Sequence, residues 1–297
     1  MDHQESTFLA GCAPFHDLCF VAKQLDELAA QQVNNSTFLV LDGGAWTKFP
    51  ESVGWPAVAA ATIKPPGQRR ALVFIGADKD VWEIDTETLQ QTDGEMREAR
   101  FALASLAAID NVVFACGMGR EVLRRDAPGV WQRIGPPLGE HEPGIIGFED
   151  MAGFSTGEMY AVGWQGEIWL CHQGAWHRID SPVSANLNAV CCTPDGWVYA
   201  VGDEGTVLRG RGEVWSVLDT GRQENLQDVC FFEGNVFVAS DFRILCLDGD
   251  ALVPDTRFSG PARPTSCLRL LAGEDGVISM GPKDLYLFRG GQWASLI

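Results

Sequence analysis

Residues 187–218 read LNAVCCTPDG, WVYAVGDEG, TVLRGRG and EVWSVL when the chain is broken at its glycines. Each piece is apolar and rich in β-branched or aromatic residues, and most breaks pair Gly with Asp or Glu. That pattern predicts a four-stranded antiparallel meander, with Asp195-Gly196 as the tight turn of the first hairpin. The preceding residues, 147–180, divide the same way into GFEDMAGFSTG, EMYAVGWQG, EIWLCHQG and AWHRID.

The unit recurs along the whole chain. Taking the last residue of each second strand as a mark gives Gly76, Gly117, Gly163, Gly202, Ser240 and Gly281, at intervals of 41, 46, 39, 38 and 41 residues. A weaker N-terminal copy ends its second strand at Lys23 and carries a helix-like insert, KQLDELAAQQV, before FLVLDGGAWTKF. Trp46, Trp131, Trp176, Trp215 and Trp293 open the fourth strands and confirm the register. Seven copies of a four-stranded unit with a period near 40 residues predict a seven-bladed β-propeller, in which radial packing buries both faces of each sheet. The blades are expected near 6–49, 55–92, 100–134, 147–180, 186–219, 226–255 and 265–297, making one domain. The last strand of blade two reads as degenerate near Leu89. The sequence leaves open whether the ring closes by side-chain packing alone or by pairing its first residues with blade seven.

Composition narrows the function. Among 297 residues, 22 Lys+Arg against 40 Asp+Glu give a net charge of −18. This argues against neutralising nucleic-acid phosphates and against an anionic membrane surface. It favours a basic partner, which a field of this size would steer inward. The nine Cys show no C-x-x-C and no zinc spacing, and most fall inside strands, as suits a reducing, cytoplasmic compartment. Leu9-Ala10-Gly11-Cys12 matches a lipobox, but the polar MDHQEST before it lacks a basic region and an apolar run, so it reads as coincidence.

No G-x-S-x-G, P-loop or H-E-x-x-H occurs, and the five His are too scattered for a metal or an acid–base cluster. No catalytic residue, metal or cofactor is expected. The two faces of the ring differ instead. Turns joining first to second and third to fourth strands are short. The opposite face gathers the second-to-third-strand turns and the blade-to-blade connections, which are longer and acidic. Candidate partner-binding residues there are Trp55 and Trp164 as anchors, with Asp78, Asp80, Glu140, Glu142, Asp203, Glu204, Asp241 and Phe242 around them. Aromatic anchors inside a charged rim are the usual makeup of a protein-binding hot spot.

Val190 to Leu208 with Trp215, and Met151 to Leu170 with Trp176, carry the pattern V-x-x-x-x-x-G-x-x-[YF]-A-V-G-x-x-G-x-[VI]-L followed by a glycine turn and Trp. This resembles the BNR-like, photosystem-assembly-factor-like and WD-repeat-like propellers of bacteria. The resemblance implies the fold and no particular activity. Sialidases share the architecture, but Tyr160, Tyr199 and Tyr286 sit at repeat positions inside strands, and Asp42-Gly-Gly-Ala-Trp46 falls short of an Asp-box. Propellers of this kind also serve as cytoplasmic immunity proteins, which implies a monomer that binds and blocks a basic toxin. An assembly scaffold, or a glycan-acting enzyme using carboxylates in the central funnel, are the alternatives.

Overall fold

The computed structural model describes residues 5–137 and 146–297. Seven four-stranded antiparallel sheets, each in the sequential order of a meander, follow one another along the chain. They occupy residues 6–53, 57–95, 103–133, 148–179, 187–217, 226–254 and 269–295, and form a seven-bladed β-propeller. The lipobox-like Leu9–Cys12 lies inside the first strand of blade one, Ser6–Phe15, and the insert contains a short helix, Asp26–Ala30.

The apolar core of the described residues is divided among the seams. Each of seven clusters joins two neighbouring blades, so every sheet is buried on both faces. This explains the tryptophan mark. Trp131, Trp176, Trp215, Trp293 and Trp46 each lean back into the cluster shared with the preceding blade. Full burial of one such ring is worth roughly 1.5–3 kcal/mol or more. Blade two departs from the pattern. Its fourth strand is Gln91–Glu95, polar throughout, whereas Leu89 stands in the turn before it with φ 59°. Trp82 on the third strand fills that seam, stacked on Phe38 at 4.3 Å and donating its indole N–H to Gln91.

The ring closes without strand exchange. Blade one and blade seven share an apolar cluster that includes Phe8, Val21, Leu271 and Met280. Polar clamps flank it at both faces. On one, the Phe8 amide donates to Pro282 O at 2.9 Å, and Lys283 Nζ reaches Ser6 O and Asp26. On the other, His16 Nδ1 lies 2.5 Å from Asp275 Oδ2, and the Glu274 amide donates to Pro14 O.

Candidate functional site

The loop face is built from one repeated device. In blades four and five the second strand ends in Gly, and a two-residue turn follows with both φ values positive: Gln165-Gly166 and Glu204-Gly205. A left-handed non-glycine residue costs about 1 kcal/mol or more and persists only where its surroundings hold it. Here an asparagine from the next blade-to-blade connection supplies the hold. Asn186 Oδ1 accepts the Gln165 amide, and Asn225 Oδ1 accepts the Glu204 amide, each at 3.0 Å.

The residue before each turn is tied to the top of the innermost strand of its own blade. Trp164 donates its indole N–H to Glu149. Asp203 accepts from Asn188 at 3.0 Å and from Asn186 at 3.1 Å. Asp241 accepts from Gln227 at 2.8 Å. Glu149, Asn188 and Gln227 occupy the same place in three successive repeats, because each precedes the residue that resumes pairing after a bulge. Leu9, Val58, Ala104 and Leu268 hold that place in the other blades. The mouth of the central channel is therefore polar over blades four to six and apolar elsewhere. Burial raises the Glu149 carboxyl above the usual range, and the Trp164 hydrogen bond opposes that rise.

The structure sorts the predicted binding residues into two groups. Asp78, Glu204 and Phe242 are exposed, Phe242 by 72 %. Trp55, Asp80, Trp164, Asp203 and Asp241 are half-buried and engaged. Trp55 packs on Phe38 with ring centroids 6.3 Å apart, and Trp164 folds back over its own blade. Asp80 is raised by burial and by the neighbouring charges of Asp78 and Glu95. Glu140 and Glu142 lie outside the described residues.

Residues that the sequence reading passed over line the channel one step deeper. Ala10, Ala59, Ser105, Asp150, Ala189, Asp228 and Arg269 share one repeat position on the seven innermost strands. Asp150 accepts from Ser105 Oγ at 2.8 Å and from the Val190 amide of blade five at 3.0 Å. Asp228 accepts the Leu270 amide of blade seven at 2.7 Å and the Val229 amide at 2.8 Å. Each carboxyl thus bridges its blade to the next. Burial raises both, Asp228 to about 7. Aligning the repeats by register would have found this ring, since Asp150, Asp228 and Arg269 stand where other copies have Ala or Ser. At the seam of blades three and four, Arg120 and Glu167 form a buried bidentate pair under Trp169, whose ring lies 4.8 Å from the guanidinium. Arg120 itself takes a left-handed turn conformation, φ 55°.

All nine Cys are unpaired thiols. Among the described residues no cluster of His, Cys, Asp and Glu could hold a metal ion, and no helix is long and apolar enough to cross a membrane.

These features define the class, a seven-bladed propeller with an acidic face of rigidly braced turns. Solved structures agree at the level of the fold. YCF48 bound to D1 peptide superposes with a TM-score of 0.67 at 15% identity, covering 95% of this chain and 93% of that one. The computationally designed Ika8 protein gives 0.65 at 12% identity, covering 100% and 88%. No protein-family model matches the sequence. The immune protein Tsi7 of Pseudomonas aeruginosa PAO1 is 33% identical over 301 aligned residues, spanning 97% of this chain and 96% of that protein. The chain belongs to the family of the immune protein Tsi7.

Proposed function

We propose that this protein acts in the cytoplasm as a non-catalytic inhibitor, binding a basic toxin domain across its loop face and blocking it by occlusion. The observation that carries this reading is the relationship to an immune protein, which spans 97% of this chain and 96% of that protein. The net charge of −18 supplies long-range attraction for a basic surface. Exposed Asp78, Glu204 and Phe242 supply the contacts, while Trp164, Asp203 and Asp241 keep the turns beneath them rigid, and Trp55, Asp80, Glu140 and Glu142 complete the rim. Preorganised turns lose little entropy on binding. The neighbour whose structure holds a bound peptide supports protein binding by this architecture.

A glycan-acting enzyme would need free carboxylates in the funnel. Both oxygens of Asp150 and of Asp228 already accept hydrogen bonds, which favours bracing over hydrolysis. The test is a tagged capture from lysate of the source organism at low and at moderate salt. A single stoichiometric basic protein, released as salt rises and inactive as a toxin while bound, is the expected result. Retention of a large multiprotein assembly would favour a scaffold.

A further inference from the structure

The channel holds a cavity of about 780 Å³ that the immunity reading does not use. Its volume lies within the range of small-molecule sites. One wall is made of small apolar side chains from blades one to three: Ala10, Ala59, Ala60, Ala61 and Ala104. Facing it from blade seven is Arg269, exposed to the channel.

Lys64 and Arg70 also line the cavity, but Arg269 is the cation beside the channel carboxyls. Its charge is felt by Glu149, Asp150 and Asp228. Among the described residues, however, its guanidinium is in no hydrogen bond and no ion pair. The nearby carboxyls are committed elsewhere: Asp150 to Ser105 and Val190, Asp228 to Val229 and Leu270. An Arg fork offers five N–H donors in one plane, matched to the two oxygens of a carboxylate. A phosphate dianion would bring a second charge against Asp150 and Asp228, so a single-charged ligand fits better.

We propose that the central channel is a binding site for a small monocarboxylic acid on a slender apolar body, with the carboxylate on Arg269 and the body along the alanine wall. The site is independent of toxin neutralisation, which can stand or fall without it. A charge-assisted, two-point contact gives the head group its specificity. The alanine wall limits the body to an unbranched or flat group, since the space available is what these short side chains leave.

Hexanoate is the probe, followed by isothermal titration and by thermal shift on the full chain, with hexanol and inorganic phosphate as controls. The expected result is saturable one-to-one binding of hexanoate with a rise in Tm, and none with either control. Arg269→Gln should weaken it about 10-fold or more, by loss of a charge-assisted pair. Ala59→Phe, which fills the channel and leaves Arg269 in place, should abolish it. Circular dichroism of both variants keeps a folding defect from passing as lost binding. Absence of saturable heat up to about 10 mM hexanoate, weak even for a ligand of this size, overturns the site. Equal binding of hexanol, or undiminished binding by Arg269→Gln, overturns the assigned role of the guanidinium. If Arg269 merely offsets the charges of Asp150 and Asp228, Arg269→Gln lowers stability and the native protein binds no hexanoate.

Discussion

At the scale of single residues, the buried charges make the sharpest claims. Glu167 and Arg120 are 4 % and 1 % exposed, so their bidentate pair is made away from water. Glu167→Gln should cost about 3–5 kcal/mol, read from chemical denaturation at constant m-value. Asp228 makes a prediction of opposite character. Its carboxyl is raised from 3.8 to about 7 by burial, so the folded state binds its proton more tightly than the unfolded chain. Stability from this group is therefore greatest at acid pH, falls as pH rises between those two values, and levels off above the upper one. Between about pH 8 and about pH 6, Tm of the native protein should rise more than that of Asp228→Asn. An equal change in both would mean that Asp228 titrates as an ordinary carboxyl. A register alignment of the repeats exposes Asp228, but nothing in the sequence marks the Arg120–Glu167 pair. Arg120 and Glu167 are 47 residues apart and meet only because consecutive blades bring equivalent turns together.

At the scale of elements, the glycine that marks the second strand in blades three, four, five and seven has a steric cause. A Cβ on Gly163 would lie 1.9 Å from Gly147 O, and one on Gly202 would lie 1.9 Å from Asn186 O. The incoming connection crosses so close to the second strand that no side chain fits. Gly202→Ala should destabilise the fold by about 1–3 kcal/mol through forced backbone shifts. Gly54→Ala, at a position with open space, should change stability by less than about 0.5 kcal/mol. Thermal melts of the two variants side by side check both. The repeat spacing was readable because this approach recurs in blade after blade. The fourth strand of blade two was not, since Trp82 took over the packing that a Trp of that strand performs elsewhere, leaving QTDGE with no apolar signature.

At the scale of the whole molecule, the excess of negative charge and the braced face lead to a kinetic prediction. Asp203 and Asp241 hold turns together, so reversing them would confound binding with folding. Asp78 and Glu204 are exposed and suit the test better. Asp78→Lys with Glu204→Lys should slow association with the toxin about 10-fold at low ionic strength, with little change in the dissociation rate. The gap should narrow as salt rises. Surface plasmon resonance at two salt concentrations checks it, and an unchanged association rate would remove both residues from the interface.

The sequence by itself determined the blade count, the strand order, the register and the sign of the field. Those depend on local periodicity and on composition, which a linear reading preserves. Only the tertiary structure decided how blade one meets blade seven, that Trp164 turns inward to Glu149, and that Asp150, Asp228 and Arg269 share a channel. Those depend on side chains that the folded chain brings together from 15 residues apart, as in Trp164 and Glu149, to 259 apart, as in His16 and Asp275. The ring's curvature creates that proximity, and no local pattern records it.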